Sequence, residues 1–132
     1  MRAPLVFCFI SSWFIVGQAL AAPNVVVAPP KNVTGLVTHA PHPEYPADAL
    51  QRHVSGAGVF LLRTQVKTGR VTEIVIRRST GDRSLDSATV RALSQWRFKP
   101  GALTHWPIMA VRLQPPLTDA EALIEVPVRF VL

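Results

Sequence analysis

Cysteine is nearly absent from this chain of 132 residues, because Cys8 is the only one. Disulfide bonds within the chain are therefore excluded, and the fold must be stabilised by its core. Charged residues are scarce as well, at 17% of the chain, and the 14 Lys and Arg form no block of like charge. Since 48% of the residues are apolar, a wholly disordered chain is also excluded. This composition predicts one small packed domain that does not bind nucleic acid.

Residues typical of catalysis and metal binding are poorly represented. His39 and His42 have a spacing that two metal ligands use, but they lie in a proline-rich stretch without a second cluster. Ser79 is near Asp82 and Asp86, but no Gly-x-Ser-x-Gly motif surrounds it, and a turn followed by a helix cap explains these residues. The sequence therefore predicts no catalytic site, no metal site and no cofactor.

The N-terminal residues have the organisation of a secretory signal peptide. Arg2 provides a positive charge, an apolar run extends from Leu5 to Val16, and Ala19-Leu20-Ala21 forms a small-x-small cleavage site. We expect residues 1–21 to be cleaved, which predicts an exported protein. The alternative is an uncleaved membrane anchor, but the apolar run is shorter than the roughly 20 residues that cross a bilayer.

Prolines are concentrated between this signal and the domain that follows. Residues 22–43 show no helical periodicity and are interpreted as an extended, proline-rich tether. In an alternative interpretation, the run Val25-Val26-Val27 joins a sheet as an edge strand.

Residues 44–132 show the alternating and helical patterns of a folded domain. Pro46 is predicted to begin a short helix that ends near Arg52. Residues 57–78 alternate between apolar and polar positions, which predicts a β-hairpin with Gly69 in its turn.

A longer helix and a final strand complete this domain. Ser84 is predicted to cap the helix, whose apolar stripe runs from Leu85 to Trp96. Residues 103–122 are interpreted as a short strand and a long loop, and residues 123–132 as a half-buried last strand. The predicted fold class is α+β, with two layers: a three-stranded antiparallel sheet covered by two helices on one face.

Pro127 predicts that the last strand lies at an edge of the sheet. Proline donates no hydrogen bond, so it is tolerated in a strand where its nitrogen points away from the neighbouring strand. Residues two apart share this orientation, and Glu125, Arg129 and Val131 are expected to direct their backbone groups outward as well. Such a flank binds an added peptide strand, with Glu125 and Arg129 as selectivity residues. In the alternative, Pro127 only protects the edge against aggregation.

A series of short motifs also runs through the domain, over residues 43–132. In chain order they are Tyr45-Pro46, Gly56, Gly69-x-Val71, Ser79-Thr80-Gly81, Leu85-Asp86-x-Ala88, Trp96-Arg97-Phe98-x-Pro100 and Val126-Pro127-Val128-Arg129-Phe130. This series resembles the C-terminal domain of TonB energy transducers. The resemblance implies a periplasmic domain that pairs its last strand with a short segment of an outer-membrane transporter and supports energy-dependent transmembrane transport.

The chain also departs from the pattern of full energy transducers. Its N-terminal segment is predicted to be cleavable, its spacer is short, and residues 103–122 are longer than the usual link to the last strand. An inner-membrane motor is therefore expected as a partner only if the N-terminal segment is retained. The alternative function is a soluble envelope adaptor, or a structural protein that forms a homodimer, with the same fold and no energy coupling. Tyr45 is a further candidate for partner contact, against the alternative that it packs under the tether.

Overall fold

The computed structural model describes residues 22–103, 116, 118 and 120–132. The signal peptide predicted for residues 1–21, and most of the strand and loop predicted for residues 103–122, lie outside the described residues. The described elements are β1 (Asn24–Val27), α1 (Lys31–Thr34), β2 (Val37–His39), α2 (Ala47–Gln51), β3 (Gly56–Gln65), β4 (Val71–Arg78), α3 (Arg83–Leu93), β5 (Arg97–Phe98) and β6 (Glu121–Val131).

A four-stranded antiparallel sheet with the order β1-β6-β3-β4 forms the centre of the fold, and β2 pairs with β5 in a second, two-stranded sheet. The α+β class and the hairpin of β3 and β4 are confirmed. The prediction of a three-stranded sheet with two helices was incomplete, because β1, β2 and α1 lie in the segment interpreted as a tether. The high proline content of that segment favoured the interpretation as a tether, because its short helix and strands are stabilised by contacts with distant residues and not by local sequence preferences.

One face of the large sheet carries the core. Phe60 of β3 lies opposite Val126 of β6, and Leu62 lies opposite Ile124, so these side chains share a face. Residues from all three helices pack against this face and are fully buried; they include Val33, Ala49, Leu85 and Leu93. On the opposite face, Leu61 and Leu123 form a smaller buried cluster with Val75 packed against it.

The segment of residues 22–43 is part of the fold and not an extended tether. Val33 of α1 is fully buried in the core. The indole Nε1 of Trp96 donates a hydrogen bond of 3.0 Å to the carbonyl oxygen of Pro41. The backbone N–H of Lys99 donates to the carbonyl of Leu36 at 2.8 Å. These contacts join the segment to the residues that follow α3.

The turn between β3 and β4 is tied to the second sheet. Gly69 has a φ of +72°, which glycine adopts without the steric cost that a side chain would add. Its carbonyl oxygen accepts a hydrogen bond of 2.8 Å from the backbone N–H of Phe98 in β5. The hairpin turn, predicted from the glycine itself, therefore also positions β5.

The N-terminus of α3 is capped by an aspartate. The carboxylate of Asp82 accepts hydrogen bonds from the backbone N–H groups of Ser84, at 3.0 Å, and Leu85, at 3.2 Å. The prediction of Ser84 as the N-cap was wrong by two residues, because both residue types cap helices and the sequence does not fix the first turn. The hydroxyl of Ser84 instead donates to Asp48 of α2 at 2.5 Å.

Arg52 links α2 to this cap. Its guanidinium lies 2.9 Å from a carboxylate oxygen of Asp48 and 2.9 Å from one of Asp82. Two hydrogen bonds lower the pKa of Asp48 below its ordinary value of 3.8. The larger effect comes from the hydrogen bond that Ser84 donates, and the smaller one from that of Arg52. The hydrogen bond from Arg52 is the main cause of the lowered pKa of Asp82. The ionised form of both carboxylates is therefore favoured in the folded protein.

These lowered pKa values predict a loss of stability in acid. In the unfolded chain, the carboxylates of Asp48 and Asp82 take up protons near pH 3.8, and in the folded chain they do so only at lower pH. The stabilisation that they provide is therefore complete above about pH 5 and is lost as the pH falls through their pKa values in the folded protein. We expect the thermal midpoint of Arg52→Gln to depend less steeply on pH below about 4 than that of the native chain. Circular dichroism melts in this range measure the slope. Arg91→Gln, which removes the same charge from α3, should retain the native slope, and equal slopes for all three proteins would contradict the assignment.

Candidate strand-binding edge

The outer flank of β6, which is the side turned away from β3, is the candidate binding edge. On its inner side β6 pairs with β3 continuously, from Glu121 opposite Gln65 to Phe130 opposite Gly56. On the outer side, the backbone N–H of Ala28 donates a hydrogen bond of 3.1 Å to the carbonyl oxygen of Pro127. The backbone of Pro127 therefore faces outward, as its chemistry predicts.

The alternation of an antiparallel ladder extends this orientation along the strand. Residues two apart direct their N–H and C=O groups to the same side, so Glu125, Arg129 and Val131 face outward with Pro127. The predicted orientation of these four backbone positions is confirmed. What the sequence did not reveal is the neighbour on that side.

The prediction of a free flank was wrong for the C-terminal half of β6. There β1 pairs in antiparallel fashion with residues 128–131, and Val26 lies opposite Arg129. Three consecutive valines favour a strand, and the amides of β6 give them a partner, so the alternative interpretation of this run as an edge strand is correct. Within the part of the chain that the structure describes, no strand pairs with the outer side of residues 121–126.

Pro127 marks the boundary between the two halves of the flank. It accepts the last hydrogen bond from the β1 segment but has no N–H to return to Ala28. The next residues of that segment, Pro29 and Pro30, have no N–H either. The β1 ladder therefore ends where both strands lack backbone donors.

The side chains of the two proposed selectivity residues, Glu125 and Arg129, lie in different surroundings. Glu125 accepts a hydrogen bond of 2.6 Å from the guanidinium of Arg77 in β4, across the face opposite the helices. Arg129 is exposed on the same face. A shallow groove of about 350 Å³ begins beside it, and its rim includes Val26, Arg78 and Pro127. This groove could not be predicted from the sequence, because β1, the hairpin of β3 and β4, and β6 come together there from three distant parts of the chain.

Tyr45 lies beneath β6 and not on its flank. Its ring packs edge-on against Phe130 with a centroid distance of 5.3 Å, and its hydroxyl donates a hydrogen bond to the carbonyl of Val54. Burial, together with the negative charge of Asp82, raises the pKa of the Tyr45 hydroxyl. The structure thus gives Tyr45 a packing function that holds the residues before α2 against the last strand.

Among the described residues, no group of three or more His, Cys, Asp or Glu side chains is arranged to hold a metal ion. None of the helices in the same part of the chain has the length and apolar character that crossing a membrane requires.

The part of the chain that contains β6 matches a known protein family. Residues 41–132 match the model of the Gram-negative bacterial TonB protein C-terminal family. The chain belongs to the TonB C-terminal family. TonB C-terminal domains act in the periplasm, and the family transduces energy without enzymatic activity.

A curated relative supports the same assignment. A stretch of 63 residues, 47% of this chain, is 43% identical to Protein tonB2 of Pseudomonas aeruginosa. The matched stretch represents 23% of the length of that protein, so the two chains correspond only in part. No solved structure matches the chain. The TonB C-terminal domain is therefore assigned from the family match, and the described edge belongs to it.

Proposed function

We propose that this TonB C-terminal domain acts in the periplasm by binding an extended segment of a TonB-dependent outer-membrane transporter along β6, in support of energy-dependent transport. The observation that carries the proposal is the outward orientation of the β6 backbone at residues 125–131, in a chain of this family. Backbone pairing supplies affinity in this mode of binding, and neighbouring side chains supply selectivity. Glu125, Pro127, Arg129 and Val131 are the proposed contact residues, with Tyr45 as their support through Phe130.

The proposal assigns the domain to the periplasm, and its energy source depends on whether residues 1–21 are cleaved or retained. If residues 1–21 are removed as a signal peptide, the domain is released into the periplasm and couples to no inner-membrane motor directly. If they are retained as an anchor, such a motor becomes a partner. The N-terminal sequence of the protein purified from cell envelopes separates the two cases, because a start at Ala22 supports release and a start at Met1 supports the anchor.

Amide chemical-shift mapping tests the binding mode. The probes are synthetic peptides that cover the periplasm-facing N-terminal segments of the TonB-dependent transporters encoded in the same genome. We expect at least one peptide to shift the amides of residues 121–131, and a version with proline at alternate positions to bind at least tenfold more weakly because it cannot complete a ladder. Shifts confined to other parts of the domain, or no binding by any peptide, would contradict the proposal.

A further inference from the structure

The strand β1 occupies the outer flank of β6 in the way that an added peptide strand would. Ala28 donates to Pro127, and by the same alternation Asn24 and Val26 face the outward backbone groups of Val131 and Arg129. These are the groups that the proposed function assigns to a transporter segment. The chain therefore contains its own ligand for the site.

The attachment of β1 to the sheet is limited. The strand has four residues, whereas β3 pairs with β6 over ten positions. At Pro127 one of the two hydrogen bonds of the ladder is missing. Val26 is 46% exposed, and β6 is the one strand that pairs with β1 among the described residues. Loss of β1 would leave the pairing of β6, β3 and β4 intact.

The side chains of β1 describe the occupant that this flank accepts. Val25 lies opposite Phe130 and Val27 lies opposite Val128, and both valines pack against the core. Two aliphatic side chains, separated by one residue, are therefore required of an occupant. The position between them, held by Val26, lies on the rim of the groove that also includes Arg78 and Arg129, where an acidic side chain would be favoured.

We infer that β1 is an internal occupant of the binding flank and that a transporter segment displaces it by strand exchange. The inference rests on the proposed function and specifies its partner: an extended segment with aliphatic residues two apart and a neutral or acidic residue between them. Only molecules in which β1 is released can bind such a segment. The apparent affinity is therefore the intrinsic affinity multiplied by the fraction of molecules in which β1 is released.

A proline substitution at an exposed position of β1 should release this strand without replacing a residue that packs against the core. Val26→Pro removes an N–H that faces β6, and Val26→Ala changes the same exposed side chain but keeps this N–H. In Val26→Pro, and not in Val26→Ala, we expect faster hydrogen exchange at the amides of Arg129 and Val131. A peptide with the sequence of residues 22–29, added in trans, should bind Val26→Pro at least tenfold more tightly than Val26→Ala.

A disulfide should have the opposite effect. Asn24 and Val131 are paired residues with exposed positions, and the Cα separation of about 5.5 Å typical of such a pair is within the range that a disulfide spans. The double variant Asn24→Cys/Val131→Cys, with Cys8 replaced by serine, locks β1 when oxidised. We expect the oxidised protein to bind the transporter peptides at least tenfold more weakly than the same protein after reduction.

The outcomes separate this inference from the proposed function. If the peptide of residues 22–29 binds Val26→Pro at β6 while no transporter peptide binds any variant, the proposed function fails and the exchangeable flank is supported. If transporter peptides bind the oxidised and reduced lock equally, strand exchange is overturned and the function remains. Retained protection of Arg129 and Val131 in Val26→Pro, without binding of the peptide in trans, also overturns the inference.

Discussion

Replacing Gly69 with alanine should destabilise the protein by about 3 kcal/mol or more, measured as the free energy of unfolding in urea. A Cβ atom at this position would lie 1.9 Å from the carbonyl oxygen of Phe98, which is backbone and cannot rotate away. The φ of +72° adds a cost of about 1 to 2 kcal/mol for any residue with a side chain. The turn and β5 would have to separate, and the hydrogen bond from Phe98 to Gly69 would be lost.

Gly101 provides the matched control for this substitution. Its φ is +73°, nearly equal to that of Gly69, but a Cβ atom there would meet no atom of the described residues within 4 Å. Gly101→Ala should therefore cost only the conformational part, about 1 to 2 kcal/mol. If the two alanine variants have equal stability, the close approach of Phe98 does not determine the cost at Gly69.

Replacing Phe130 with alanine should cost about 3 to 5 kcal/mol of unfolding free energy, the range for removal of a buried aromatic side chain. Phe130 is 1% exposed and packs against the ring of Tyr45. Its neighbour across the ladder in β3 is Gly56, which has no side chain that could fill the space. The cavity would therefore be filled poorly, which places the cost in the upper part of the range.

The adjacent residue serves as the control for this prediction. Val131 is 40% exposed on the other face of the same strand, so Val131→Ala should change the free energy of unfolding by about 0.5 kcal/mol or less. Urea denaturation of both variants, followed by tryptophan fluorescence, gives the comparison. A cost below about 1 kcal/mol for Phe130→Ala would show that Phe130 contributes little to the core. If the expected cost is found, binding studies should use backbone changes in β1 and leave Phe130 unaltered.

The central elements of the fold could be predicted from the sequence because their patterns are local. The period of two in residues 57–78 and 123–132 and the apolar stripe of α3 each reflect one face packed on the core. β2 and β5 have three and two residues, too few for any period, and their pairing depends on contacts such as Val37 with Phe98. In the same way, three adjacent valines show no alternation, and β1 is recognisable only beside β6.

The candidate site was predictable to the same extent. The chemistry of Pro127 determines which side of β6 its nitrogen faces, and that part of the prediction is local and correct. The strand on that side comes from the other end of the described chain, and no property of Pro127 or Arg129 indicates it. Sequence patterns thus gave the orientation of the edge, whereas its occupancy required the structure.

The buried position of Val33 has a consequence for how β1 competes with any other strand. Because α1 fixes the chain shortly after Val27, a released β1 is still connected to the domain through a short linker and remains close to the sheet. It therefore acts as an intramolecular competitor for the flank of β6. Short linkers of this kind give effective concentrations on the order of millimolar. A free peptide at micromolar concentration is therefore at a disadvantage in competition with β1.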